Sequence, residues 1–432
     1  MTGPGPMPTP GPMPTPTPGA LRTVDEHLAG CLAAVDVLAP VDVALADALD
    51  LLLAEPVRSA LDLPRFDNSA MDGYAVRLAD VAGAAPGTPV ALPVRGDVAA
   101  GAAAVPPLAA GTAVRIMTGA PLPSGTEAVV PVEWTDARND TVTITRAPDP
   151  GQFLRHAGED VRDGEEVLAA GIRLAPRHLA LLAAVGRATV SVHPRPRVVV
   201  ISSGSELTPA GEPLPPGHIH DSNGPGLVAA ARDLGSPARH AGIVADDADA
   251  VRAALADAAA HADLVVTSGG VSAGAYDTVK AVLRDLGGVT FTKVAMQPGM
   301  PQGFGTLAAP DGRAVPVFTL PGNPVSSLVS FEVFVRPVLR RLAGEATLHR
   351  PAVPAVAGAS WSSPAGRRQF VRATLAPGPD GGPPVATPVG GQGSHLVADL
   401  AAADCLVVVP DAVTAVAAGS PVTCLPLERG RR

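Results

Sequence analysis

The 432-residue sequence predicts an α/β multidomain protein: a three-layer α/β domain with a parallel sheet, an all-β inserted domain, a helical linker domain and a C-terminal β-barrel. Three observations predict this. From Arg197 onward, strand-like apolar runs alternate with helix-like ones, the order that builds a parallel sheet covered by helices. Between Leu63 and about Asp149 the chain shows short β-like runs divided by Gly and Pro. After Gly344 such runs return.

Taken in order, residues 1–19 read as a disordered Pro-rich tail, because Gly-Pro-Met-Pro-Thr-Pro occurs twice and alternating proline favours extended polyproline II. Residues 20–58 with 165–193 read as a helical N-terminal linker. Thr23-Val-Asp-Glu26 fits a capping box, apolar residues from Val24 to Val35 recur at helical spacing, and a second helix is expected over Ala44–Leu53. Residues 59–164 form the inserted β domain. Residues 194–344 form the α/β domain, with strands expected at Val198–Ile201, Ala241–Val244, Leu264–Val266, Val289–Val294 and Val315–Leu320. Residues 345–432 form the barrel.

Composition narrows the function. A formal net charge of −9 argues against general binding to nucleic acid or to an anionic membrane. An anionic small molecule would have to be met locally, by backbone N–H groups, a metal and a few cations. Cys31, Cys405 and Cys424 lie far apart, which suits buried thiols in a reducing cytosol. With no long apolar span and no signal-like start, a cytoplasmic location is expected.

The stretch Ser268-Gly-Gly-Val-Ser-Ala-Gly-Ala-Tyr-Asp-Thr-Val-Lys280 joins a strand to a helix through paired glycines. Such a turn presents a cup of backbone N–H groups at a positive helix end, which suits a phosphate. Asp277 beside a phosphate is repulsive unless a cation lies between them, and Mg²⁺ takes one or two carboxylates plus phosphate oxygens. A purely structural glycine turn is the competing reading. The other polar motifs also fall at strand ends: Ser202–Glu206, Asp246-Asp247, Gln297–Pro301 and Pro321–Ser326. Ligands of such sheets bind at that rim.

These motifs, with Phe66-Asp-Asn-Ser-Ala-Met-Asp-Gly-Tyr-Ala75, Arg115-Ile-Met-Thr-Gly-Ala120, Gly158-Glu-Asp160 and Gly393-Ser-His395, resemble the molybdopterin molybdenumtransferase family (the MoeA type and the gephyrin E domain) over roughly residues 21–428. The resemblance implies a molybdopterin-binding α/β domain in a homodimer with a shared active site. It also implies Mg²⁺-dependent insertion of molybdate into adenylylated molybdopterin with release of AMP. Catalytic roles are implied for Asp72, Thr118, Asp160, Glu206, Asp246 and Asp277, with metal held by Asp246, Asp277 and Glu206. Binding roles fall to Ser268, Gly269, Gly270, Val271, Ser272, Pro321, Gly322, Asn323, Arg155, Lys293, Arg372 and Ser394. Other cofactor-biosynthesis proteins are possible partners. The sequence departs from the family where Gln297 and Met300 stand at frequent Lys positions and Ser205 at a frequent Asp. Those departures keep open a second reading, a paralogue that binds the pterin as a carrier or scaffold.

Overall fold

The computed structural model describes residues 21–271 and 278–427. The chain divides into two compact units, one built from residues 1–40 and 193–432, the other from Val41–Val192.

The first unit holds the α/β domain. Its elements in chain order are β1 (Val198–Ser203), α1 (Asn223–Asp233), β2 (Ala238–Val244), α2 (Ala248–His261), β3 (Leu264–Ser268), α3 (Thr278–Leu286), β4 (Val289–Lys293), β5 (Pro301–Ala308), β6 (Ala314–Leu320) and α4 (Pro324–Ser330). They form one sheet of order β2-β1-β3-β6-β5-β4. Alternation along each strand splits the core between the two faces. Val198, Val200, Leu264, Val266 and Phe318 pack with Leu227 of α1 and Val325 and Val329 of α4. Val199, Ile201, Val265 and Val317 pack with Leu255 of α2 and Leu283 of α3. This is the expected three-layer arrangement, with the central strands β1, β3 and β6 buried on both sides.

The sheet is mixed, however, where a parallel one was expected. β2, β1, β3 and β6 are mutually parallel, but β5 runs antiparallel to both β6 and β4. The cause is β5 itself, a strand begun by Pro301 and interrupted by Gly303 and Gly305, which is not among the strands expected from the sequence. A short turn joins it to β6, and a connection that short can only make an antiparallel pair. Gly303 and Gly305 are needed because a Cβ would lie 2.8 Å from the Phe291 ring and 1.9 Å from the Gly288 carbonyl oxygen.

The helix Val24–Ala33 begins with the predicted capping box: Thr23 Oγ1 accepts from the Glu26 N–H at 3.1 Å, and Glu26 accepts from the Thr23 N–H at 2.9 Å. It belongs to the first unit. His27 stacks edge-on against Phe334 at 4.7 Å, and Arg368 grips Asp25 through two 2.7 Å bonds. The long C-terminal helix of this unit continues from α4 through a π-helical turn, Phe331–Val335, into Arg336–Leu342.

The C-terminal strands Arg368–Ala376, Val385–Pro388, Val353–Ala357, Pro421–Pro426 and Cys405–Val409 pair in that order, and the last pairs back to the first. The result is the expected closed barrel, filled by Ala355, Val371, Ala373, Val407 and the two buried thiols Cys405 and Cys424.

In the second unit, Ala44–Leu53 is not a helix. It forms a 3-10 turn, Leu45–Asp47, and the strand Leu52–Leu53, and the surrounding segments are strand-rich, with one helix at Pro176–Ala184. Helical spacing of Ala and Leu was misleading there. Ala48 and Leu53 are instead buried with Leu174, Leu182 and Val192 from the far end of the segment. The inserted β region forms a five-stranded sheet with Gly73–Val76 between Ala128–Pro131 and Ala113–Ile116. A Cβ on Gly73 would lie 2.0 Å from the Val130 carbonyl oxygen, so the strands could not pair this closely around any other residue. No helix among the described residues is long and apolar enough to cross a membrane.

Candidate functional site

Three strand ends of the α/β domain and the start of α1 meet at one cleft of about 580 Å³, lined by Glu206 after β1, Ser268 to Val271 after β3, Pro321 to Asn323 after β6, and Asp221 and Asn223 at the start of α1. Backbone geometry makes the cradle. Gly269 and Gly270 both take left-handed conformations, with φ of +91° and +84°, which glycine alone adopts without strain. A Cβ on Gly269 would stand 2.6 Å from the Ser203 carbonyl oxygen, so this residue also lets β1 and β3 approach at their ends. Its N–H donates to the Leu320 carbonyl at 3.0 Å, tying the cradle to the β6 loop. Ser272 and Asp277 lie outside the described residues.

The acidic rim is held by hydroxyls. Asp246 Oδ2 accepts from the Ser205 N–H at 3.1 Å and the Ser205 hydroxyl at 2.8 Å, and Oδ1 accepts from the Ser203 hydroxyl at 3.4 Å. Ser205 therefore orients Asp246. The Glu206 carboxylate lies over Gly204, where a Cβ would stand 2.6 Å from Oε2. Asp246 is exposed and its carboxylate keeps acceptor capacity, a donor set that suits Mg²⁺ bridged to phosphate oxygens. Among the described residues, no three His, Cys, Asp or Glu side chains converge as a ready metal site.

Asn323 and Ser394, from distant parts of the sequence, are brought together. Asn323 Nδ2 donates to Ser394 Oγ at 2.9 Å, and the Ser394 carbonyl accepts from the Val325 N–H at 3.1 Å. His395 lines the cleft beside them. Arg372 is placed otherwise. It is buried, and its guanidinium donates to the Gly393 carbonyl at 3.2 Å, the Leu396 carbonyl at 3.0 Å and the Gly391 carbonyl. Burial lowers its pKa from the ordinary arginine value. In this arrangement it braces the 391–396 loop from behind. Lys293 is exposed at the end of β4.

The remaining predicted residues lie in the second unit. The Thr118 N–H and hydroxyl both donate to Asp72 Oδ1, at 2.6 and 2.8 Å. Those bonds, the backbone one first, hold the Asp72 pKa below the ordinary aspartate value. The two motifs are zipped together, since Ser69 N–H donates to the Ala120 carbonyl and Gly119 N–H to the Ser69 carbonyl. Arg155 is exposed on a short strand paired with Asn68–Ser69. Asp160 is exposed, with its N–H on the Leu63 carbonyl.

Sequence reasoning missed Asp221-Ser-Asn223. The segment looks like an ordinary helix cap, and only the fold shows that it reaches three of the cleft's loops. Its one signal was position, since it opens the first helix of the α/β domain.

Fold and cleft together define a multidomain α/β protein with a glycine-turned cleft at its strand ends and a C-terminal β-barrel. Residues 22–186 match the family described as "MoeA N-terminal region (domain I and II)", 199–341 the "Probable molybdopterin binding domain", and 354–427 the "MoeA C-terminal region (domain IV)". The chain is 47% identical to "Molybdopterin molybdenumtransferase 2" of Mycobacterium tuberculosis, covering 93% of this chain and 98% of that protein. It is 38% identical to the molybdopterin molybdenumtransferase of Haemophilus influenzae, covering 88% and 92%. The solved structure of the molybdopterin biosynthesis MoeA protein from Pyrococcus horikosii superposes with a TM-score of 0.78 at 32% identity, covering 95% of this chain and all of that one. The chain therefore belongs to the MoeA family of molybdopterin molybdenumtransferases, which are enzymes of molybdenum cofactor biosynthesis.

Proposed function

We propose that this protein inserts molybdate into adenylylated molybdopterin with release of AMP, in a Mg²⁺-dependent reaction. The observation that carries the reading is the union of a glycine cradle with an oriented, exposed carboxylate, Asp246, on one rim. The N–H groups of Gly270 and Val271, with that of Ser272, would hold and orient phosphate oxygens, while the Gly269 N–H, bonded to the Leu320 carbonyl, fixes the cradle's shape. Asp246 and Asp277, with Glu206 in support, would hold Mg²⁺, which supplies neutralisation of the charge that develops as the phosphoanhydride breaks. Ser205 keeps Asp246 aimed at that position. Lys293 and Ser394 would receive the molybdate dianion, with Arg372 acting indirectly by bracing the loop that carries Ser394, and Asn323 fixes the Ser394 hydroxyl for that role. Asp72 and Thr118, with Arg155 and Asp160, would complete the site in a cytoplasmic homodimer with a shared active centre, open to other cofactor-biosynthesis proteins.

One observation favours a second reading, a pterin-binding carrier. The Arg372 guanidinium donates to loop carbonyls, and Gln297 and Met300 bring no charge, so cationic donors for a dianion are few. One assay separates the two readings: the purified chain is given adenylylated molybdopterin, Mg²⁺ and molybdate, and AMP is followed. Release above a metal-free blank is expected of the enzyme. Tight nucleotide binding without AMP release would leave the carrier reading standing and overturn the first.

A further inference from the structure

The segment from Ile219 to Gly224 touches more of the cleft than any motif named from the sequence. The Ile219 N–H donates to the Glu206 carbonyl at 2.9 Å, and the Asp221 N–H to the Thr208 carbonyl at 3.0 Å. Asp221 Oδ1 then accepts from the N–H groups of Asn223 and Gly224, each at 3.0 Å, which fixes the first turn of α1. From that turn, Asn223 Nδ2 donates to Ser268 Oγ at 2.7 Å and to the Gly322 carbonyl at 2.6 Å. A carbonyl oxygen only accepts, so the nitrogen of the amide must face it, and the side chain cannot be turned over. The residue is 7% exposed, so water does not compete for these bonds. No bulkier residue fits at 224, where a Cβ would meet His240 Nε2 at 2.5 Å and Asp221 Oδ2 at 2.6 Å.

We propose that Asn223 is a positioning residue, whose one amide nitrogen sets the spacing between the β3 cradle and the β6 loop and so shapes the phosphate seat. This inference rests on the function proposed above. A ring of N–H groups grips an anion only while its members stay within a fraction of an ångström of their places. Cutting this strut frees two loops at once, while the glycines that carry the N–H groups remain.

The test is the affinity of the full chain for AMP with Mg²⁺, by calorimetry, in wild type, Asn223→Asp, Ser268→Ala and the double variant, with melting temperature measured on each. Asn223→Asp keeps the shape and sets an acceptor against the Gly322 carbonyl. AMP binding should weaken about tenfold. The loss in the double variant should fall short of the product of the single losses, because both act through one bond network. Binding within about twofold of wild type, or losses that multiply fully as a general loss of helix stability would give, overturns the proposal. If Asn223→Asp does not fold, Asn223→Ala removes the donors without adding charge and carries the same comparison. A wild-type chain that fails to bind AMP sinks the functional reading and this inference together. A wild-type chain that binds, beside a variant that binds equally, sinks the inference alone.

Discussion

Thr118 offers two donors to a single carboxylate oxygen of Asp72, its backbone N–H at 2.6 Å and its hydroxyl at 2.8 Å. The bond fixes the orientation of Asp72 and keeps it ionised to lower pH than an ordinary aspartate. Thr118→Val removes the hydroxyl and leaves the N–H, so the Asp72 pKa should rise part of the way towards its usual value of 3.8. Carbon-detected NMR titration of the carboxyl would show it. An unmoved midpoint would mean that the hydroxyl bond is not formed in solution.

Asp263 ties the starts of β1 and β3. Its Oδ2 accepts from Arg197 N–H at 2.8 Å and Nε at 2.9 Å, while Oδ1 takes a guanidinium bond from Arg197 at 2.9 Å and one from Arg313 at 3.2 Å. Burial works to raise its pKa, but the Arg197 side-chain and backbone bonds outweigh this and the net shift is downward. A depressed folded-state pKa means stability that is present above the ordinary value and lost as pH falls through the depressed one. Asp263→Asn should cost about 2 kcal/mol at neutral pH in denaturant unfolding. The difference from wild type should shrink as pH falls below the ordinary value of 3.8, where the unfolded chain takes up a proton, and vanish once pH has passed the depressed folded value.

Gly269→Ala should destroy ligand binding with little damage to the core. The substitution forces a left-handed residue to carry a Cβ 2.6 Å from the Ser203 oxygen. The cradle must open, and AMP affinity should fall at least about a hundredfold, a size expected when several charge-assisted N–H bonds lose their geometry. Calorimetry checks it, and retained affinity would show that the cradle does not hold phosphate.

Arg372→Lys should loosen the 391–396 loop even though charge is kept. A lysine cannot reach three carbonyls in a planar fan. Hydrogen exchange at Val389 and Leu396, whose N–H groups donate to the Arg372 and Gly393 carbonyls, should accelerate, with a stability cost of about 2 kcal/mol. If exchange is unchanged, the guanidinium is not a brace and is available to an anion.

Much of this was legible in the sequence because strand ends announce themselves. An apolar run that stops at Gly-Gly, Pro-Gly-Asn or Ser-Gly-Ser leaves few alternatives to a loop at the rim, and these loops do line one cleft. What could not be read were features set by distant partners. β5 is disguised by Pro301, Gly303 and Gly305, whose reason is the neighbouring strand. Ala44–Leu53 has helical periodicity, yet its buried residues are claimed by segments more than a hundred positions away. Arg372 carries a charge that suggests an anion, and only its three carbonyl neighbours show another employment. Asn223 has no chemical signature at all until Ser268 and Gly322 are seen beside it.

Residues 21–40 belong to the same unit as residues 193 onward, with Leu38 N–H on the Leu342 carbonyl and Arg341 Nε on the Val35 carbonyl. As the chain leaves the ribosome, the helix Val24–Ala33 therefore emerges well before the residues it docks on, which follow some three hundred positions later. Val41–Val192 can close on itself in the interval, and the amphipathic helix must wait with its apolar stripe uncovered. Conditions that slow translation between Val41 and Leu342 lengthen that wait and expose the nascent chain to chaperones and to aggregation.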